Sequence, residues 1–393
     1  MGGAANRPLL NRRLTGLGTT IFAEMSALAV TTGSINLGQG FPDTDGPRQI
    51  AQAAADAILA GRGNQYPPGP GIPELRRAIC DHQRRFYGFD YDPDTEVLVT
   101  AGATEAIAAA LLALVEPGDE VIAFEPYYDS YAACIAMAGG VRVPVTLRPP
   151  SFRPDLDALR AAVSPRTRLI LLNSPHNPTG CVFNREELAA VAAVAREHDL
   201  LVVTDEVYEH LVFDGEHVPI VSLPGMRERT VSISSAGKTF SFTGWKIGWV
   251  MASPELVSAV RTAKQFLTYV SGGPFQYAIA EALALPDRYY TGLRDALHSQ
   301  RDLLCSGLAA AGFEVYEPAA TYFVTTDCQP LGEKDGVEFC RALPGRCGVV
   351  AIPNAVFYDD AEAGRSQVRF AFCKRAEVLK EAAARLARLR HSA

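Results

Sequence analysis

Paired cysteines, long apolar runs and an excess of positive charge are all missing from this chain. Its eight cysteines stand singly, with no Cys-x-x-Cys spacing, which excludes a disulfide framework and a zinc ribbon and predicts reduced thiols in a cytoplasmic protein. No run approaches the length of a membrane-spanning helix, and Met1-Gly2-Gly3-Ala4-Ala5-Asn6-Arg7 lacks the apolar centre of a secretory leader. A formal net charge of -7 argues against a general nucleic-acid role. His176 has no partner at metal-ligand spacing and reads as a turn residue, so no metal site is expected. Internal repeats and low-complexity segments are absent too. What remains is a chain of 393 residues, 48% apolar, long enough to bury more than one core.

The most informative segment is Ser234-Ser235-Ala236-Gly237-Lys238-Thr239, followed at once by Gly244-Trp245-Lys246-Ile247-Gly248. Small residues around Lys238 let a flat cofactor approach the backbone, the amine can form an imine with an aldehyde, and Lys246 offers a point charge for a phosphate. The combination points to pyridoxal 5'-phosphate. Upstream, Asn173 to Gly180 follows the apolar run Leu169-Ile170-Leu171-Leu172, so Asn173 and Asn177 emerge at the carboxyl end of a buried strand. Leu201-Val202-Val203-Thr204 leads in the same way to Asp205 and Tyr208. A buried carboxylate needs a positive partner, and a protonated pyridine nitrogen is one. Asp205 would keep that ring protonated, while Tyr208 and Asn177 would bond its phenolic oxygen. Ala103 and Thr104 open an Ala-rich helix after the strand Val97-Leu98-Val99-Thr100, where backbone amides favour an anion.

Taken together, Leu37-Gly38-Gln39-Gly40-Phe41-Pro42-Asp43, Gly102-Ala103-Thr104-Glu105-Ala106, Glu125 to Tyr131, Asn177-Pro178-Thr179-Gly180, Asp205-Glu206-Val207-Tyr208 and the lysine segment resemble a class I/II aminotransferase of fold type I, from about Thr19 onward. Thr20 to Leu28 and Asn64 to Gly71 are most similar to the branch of kynurenine, methionine and N-succinyldiaminopimelate aminotransferases. The resemblance implies that Lys238 is the Schiff-base lysine and the base that moves the proton from substrate Cα. It implies that Ala103, Thr104, Ser235 and Lys246 bind the phosphate and that Tyr128 stacks on the ring. Asn177, Asp205 and Tyr208 would touch the ring, and Gly38, Asn173 and Arg369 would handle the substrate α-carboxylate, with the planar guanidinium of Arg369 as a bidentate clamp. Tyr66 would reach the phosphate of a neighbouring subunit, which implies a homodimer.

An α/β fold follows, with an arm up to residue 36, a large mainly parallel-sheet domain over 37–275 and an interdomain helix with a small α/β domain over 276–393. Strands are expected at 97–99, 120–124, 169–172, 201–204, 230–232, 248–251, 313–316, 322–325 and 368–372, with helices from about Glu74 and from Ala278 to Ala310. The Gly38-x-Gly40 and Gly69-x-Gly71 pairs lack the strand and helix that a dinucleotide motif requires. Two residues depart from the family's pattern: Ala320 where glycine is usual and Ala355 where serine is common. They leave open an alternative on the same scaffold, an elimination or replacement enzyme of the C–S lyase kind or one acting on S-adenosylmethionine. A non-enzymatic regulator is disfavoured, because Lys238, Asp205 and Arg369 are all present. The leading expectation is transfer of an amino group from an α-amino acid to a 2-oxo acid, without nucleic acid, membrane or metal.

Overall fold

A computed structural model describes residues 9–17 and 20–391. Met1 to Arg7 and Thr19, which the sequence reading used, lie outside them. The runs Leu169-Leu172 and Leu201-Val203 are apolar at every position because both faces of their sheet are covered, the pattern of a buried parallel sheet. That sheet has seven strands, in the spatial order Val97–Thr100, Gly248–Met251, Thr230–Ser235, Leu201–Asp205, Thr167–Asn173, Glu120–Glu125 and Val141–Thr146. All neighbours run parallel except at Gly248–Met251, which is antiparallel to both strands beside it. The strand Val141–Thr146 was not anticipated, since it is a half-exposed edge carrying Pro144, where proline is tolerated.

A second sheet is antiparallel, in the order Ile352–Pro353, Gln367–Ala371, Phe323–Asp327 and Glu314–Tyr316. The mainly helical stretch expected around Ala278 to Ala310 consists of two helices, Gly273–Leu283 and Asp287–Ala311. Pro286 separates them, because a proline disfavours helical backbone at the residue before it. Helix Pro73–Tyr87 begins one residue earlier than expected, with its proline at the first turn where no amide is required.

The two sheets meet at the turn after Asp205. Val207, Tyr208 and Leu211 leave the parallel sheet and are buried in the apolar core of the second one, with Tyr322, Phe323 and Phe372. The Thr321 amide donates to the Leu211 carbonyl at 2.8 Å, and Val212 bridges Ala320. The carboxyl ends of the parallel strands therefore face the second sheet across a cleft, the position where open α/β sheets place their ligands.

One close approach sets the width of that cleft at its base. Gly248 lies so near the first turn of helix Gly102–Leu114 that a Cβ on it would stand 2.5 Å from the Gly102 carbonyl carbon. Backbone must move to admit a methyl group. Gly248→Ala should cost about 1–3 kcal/mol in urea unfolding, as overpacked sites do. An unchanged midpoint at unchanged slope would show that the strand and helix can separate freely.

Candidate active site

Eleven of the thirteen predicted site residues line one cavity of about 400 Å³ at these strand ends: Ala103, Thr104, Tyr128, Asn173, Asn177, Asp205, Tyr208, Ser235, Lys238, Lys246 and Arg369. Gly38 and Tyr66 do not. The cavity has three chemically distinct regions.

At its base, helix Gly102–Leu114 begins without a side-chain cap, so the amides of its first turn point at the cavity unsatisfied by any cap residue. Lys246, in left-handed backbone at φ 55°, turns its Nζ toward them, and a Cβ on Gly102 would lie 3.1 Å from that nitrogen. Free amides, the Ser235 hydroxyl and an ammonium without an ion-pair partner among the described residues make a cradle of the charge that a phosphate requires.

In the centre, Asp205 ends its strand in register with Asn173 on one side and Ile233 on the other. Its Oδ2 accepts from the Tyr131 hydroxyl at 2.7 Å and its Oδ1 from the Val207 amide at 3.3 Å. Burial pushes this carboxyl above the usual carboxylate range, while the Tyr131 and Val207 bonds and the nearby Lys238 charge pull it back. A cation facing the cavity would complete its neutralisation. Lys238 sits in the four-residue helix Ala236–Thr239 and, among the described residues, has no hydrogen-bond or ion-pair partner. Burial lowers its pKa to about 8, with Arg369 and Lys246 acting in the same sense and Cys373 and Asp205 against it. Its nitrogen lies 5.8 Å from the Tyr208 ring and 5.6 Å from the Tyr322 ring. Tyr128 caps the helix Asp129–Ala138 and meets Tyr131 edge-on at 5.7 Å.

At the end formed by the second sheet stands Arg369, on the central part of that sheet, paired with Thr325 and Ile352. It is 1% exposed. Its Nη1 donates to Asn177 Oδ1 and its Nη2 to the Gly38 carbonyl, both at 3.0 Å, while Nε has no partner. Phe323 covers one face at 4.0 Å, with Phe22 and Phe357 beyond. Burial brings even this guanidinium down to about 10. Among the described residues no carboxylate lies within ion-pair distance of it.

The structure refines several expectations. Gly38 donates its amide to Asn36 Oδ1 and meets Arg369 through its carbonyl, so it bears on a carboxylate only by holding the guanidinium. Asn173 spends its Nδ2 hydrogens on the Asp205 and Pro175 carbonyls, and its Oδ1 accepts the Asn177 amide. In this conformation it braces the two strand ends and has no donor left for substrate. Tyr66 is 82% exposed and packs edge-on against Tyr269, away from its own chain's cavity. Ala320 and Ala355 are buried outside the cavity lining, so neither touches the site directly. His176 is a buried turn residue, bonded to Thr179. All eight cysteines are free and buried. Tyr131 was missed, although it stands three residues after Tyr128 on the first turn of a helix, the spacing that puts two side chains on one face. Phe22, Phe41 and Phe323, which wall the outer cavity, gave no polar signal to find them by.

These features match known proteins closely. The model for "Aminotransferase class I and II" matches residues 32–386. This chain belongs to that family. It is similar to the solved N-succinyldiaminopimelate aminotransferase of Mycobacterium tuberculosis, at 56% identity and TM-score 0.95, with 97% of this chain and 100% of that one covered. It is 42% identical to the methionine aminotransferase of Escherichia coli over 98% of this chain and 100% of that protein. The kynurenine–oxoglutarate transaminase of Dictyostelium discoideum is 34% identical, over 97% and 96%. The chain is therefore a fold-type-I aminotransferase that uses pyridoxal phosphate, and none of these relatives supports the elimination or replacement alternative. The cradle at Gly102, the unpartnered Lys238 and the buried Asp205 fit that cofactor's phosphate, aldehyde and ring nitrogen.

The depressed lysine yields a test that needs no turnover. In cofactor-free protein, amine labelling of Lys238 read by peptide mass spectrometry should rise with a midpoint near pH 8. A midpoint at the ordinary lysine value of about 10.4 would contradict its burial beside two other cations.

Proposed function

We propose that this aminotransferase takes its amino group from an α-amino acid with an uncharged, largely apolar side chain and passes it to a 2-oxo acid. The observation that carries the reading is Arg369, a buried guanidinium with a free Nε and no carboxylate of its own. Leaving such a charge unpaired is costly, so the substrate α-carboxylate becomes its counter-ion and fixes which end of the substrate enters first. Past that point Phe22, Phe41, Val207 and Phe323 present carbon, and Gln39 a neutral amide. Apart from Arg369, the cations lining the cavity among the described residues are Lys238 and Lys246. An uncharged side chain suits that wall, as the likeness to a methionine aminotransferase suggests. The 56% identity to an N-succinyldiaminopimelate aminotransferase makes that acylated amino acid the second candidate.

In this reading Ala103, Thr104, Ser235 and Lys246 hold the phosphate, Tyr128 stacks on the ring, Asp205 keeps its nitrogen protonated, and Asn177 and Tyr208 bond its phenolic oxygen. When bound, pyridoxal phosphate supplies the aldehyde that receives the amino group and a ring that draws electrons from the substrate carbon. Lys238 Nζ, uncharged above about pH 8, takes the proton from Cα and returns it to the cofactor side. Tyr208 and Tyr322 wall the space around that nitrogen and limit water there. Residues 37–275 hold the cofactor, and 276–393 with the arm before them bring Arg369 and the aromatic wall to the substrate.

Assembly as a homodimer is part of the proposal. Tyr66, Phe266, Leu267 and Tyr269 are all exposed, and three of these four are aromatic. Such a patch marks a protein interface. It leaves Tyr66 free to reach a partner's phosphate. Residence in the cytoplasm is supported by the free, buried cysteines, and no described helix is long and apolar enough to cross a membrane.

The test is a half-reaction. Methionine, phenylalanine, aspartate or N-succinyldiaminopimelate is added alone to cofactor-loaded enzyme, and the visible absorbance is followed. Uncharged donors should convert the cofactor stoichiometrically from its aldehyde to its amine form, and a 2-oxo acid should restore it. Fastest conversion by aspartate would refute the apolar assignment, and thiol release without conversion would refute transamination. Arg369→Lys should lose about 1.5–3 kcal/mol of carboxylate binding, about 10- to 150-fold in kcat/KM, in the same assay.

A further inference from the structure

Outside the cavity lining, a buried carboxylate joins the two segments that carry the chemistry. The backbone ladder between strands Leu201–Asp205 and Thr230–Ser235 ends at Asp205 and Ile233, and one further amide, that of Glu206, donates to the Ile233 carbonyl at 2.8 Å. Beyond it the chains part. One forms the turn Glu206 to Leu211, which carries Tyr208; the other enters the short helix Ala236–Thr239, which carries Lys238.

Glu209 spans that gap. Its Oε1 accepts from the Ser234 hydroxyl at 2.6 Å and its Oε2 from the Tyr87 hydroxyl at 2.7 Å, at the last residue of helix Pro73–Tyr87. It is 7% exposed. Among the described residues, the bond to Ser234 is the sole side-chain hydrogen bond between residues 206–211 and 234–240. Around it stand Glu206 and the buried His217, 3.6 Å apart, and the pair His82 and His210, whose Nε2 atoms lie 2.7 Å apart in a hydrogen bond of their own. Placing a carboxylate in such surroundings costs several kcal/mol before its hydroxyl donors offset it, so a core with structural needs alone is better served by apolar residues.

We propose that Glu209, acting through Ser234, is a positioning residue that sets the separation of the strand end bearing Asp205 from the strand end bearing Ser235 and Lys238. Asp205 and Lys238 address opposite sides of one rigid, planar cofactor, so an error in that separation appears at the reacting carbon as misalignment. The proposal rests on Lys238 being the attachment point. Lys238→Ala with retained covalent cofactor would defeat that assignment, and it is a different result from any that Ser234 can produce.

The experiment compares Ser234→Ala, Glu209→Gln, Glu209→Ala and Tyr87→Phe for thermal midpoint, for the pH at which Lys238 is labelled in cofactor-free protein, and for kcat and KM. Ser234→Ala should stay folded, shift the labelling midpoint measurably and lower kcat about 10-fold with KM within about twofold. Glu209→Gln keeps an acceptor for the Ser234 hydroxyl and should recover most of the kcat lost in Glu209→Ala. Tyr87→Phe, which cuts the other bond, should lower the thermal midpoint alone. Wild-type labelling and kcat in Ser234→Ala would overturn the proposal, as would a Glu209→Gln enzyme no better than Glu209→Ala. Should Glu209→Ala fail to fold, Ser234→Ala decides alone.

Discussion

The site is organised by positive charge that the chain itself leaves uncompensated. Among the described residues Arg369, Lys238 and Lys246 face one cavity and make no ion pair, and the one carboxylate lining it, Asp205, is buried and held by hydroxyl and amide donors instead of by a cation. A buried guanidinium and a buried acid are costly to leave in that state unless ligands complete them. In the proposed function Lys246 meets the cofactor phosphate, Lys238 its aldehyde, Arg369 the substrate carboxylate and Asp205 the protonated ring nitrogen.

The fold makes this possible by bringing separate backbone ends to one place. Parallel strands deliver Asn173 and Asp205 side by side, with Ser235 two residues beyond the partner of Asp205, and the antiparallel intrusion of Gly248–Met251 presses the glycine backbone onto the helix that begins at Gly102. Arg369 arrives from the second sheet, so the phosphate end and the carboxylate end of the cavity belong to different layers. The aromatic residues near the outer cavity have a double task. Phe323 and Phe22 desolvate the guanidinium and strengthen its hold on an anion, and in the proposed function they also give the substrate side chain an apolar surrounding.

Much of this was legible in the chain. Lys238 and Asp205 stand in motifs whose residue types are dictated by chemistry, Arg369 was singled out only by the family resemblance, and the apolar runs before Asn173 and Asp205 announce buried strands by composition alone. Other parts were not. Asn173 looked like a substrate ligand until its amide was found bonded to the Asp205 and Pro175 carbonyls, a matter of rotamer that spacing cannot express. Tyr131 and Glu209 are anonymous in sequence, because their importance lies in which hydroxyl or carboxylate they meet across more than twenty residues. Tyr66 is placed by this chain on its own surface, against Tyr269 and away from its own cavity. The edge strand at Val141 hid behind a proline and half-exposed residues.

The account stands on one covalent claim, that the amine with no partner in the chain is where the cofactor attaches. Borohydride reduction of the cofactor-loaded enzyme, followed by proteolysis and mass spectrometry, reads that bond directly. The reduced cofactor should be found on the peptide containing Lys238, at one equivalent per chain. Its recovery on Lys246, on Lys264 or on no lysine at all would contradict the arrangement of charge from which the rest is built.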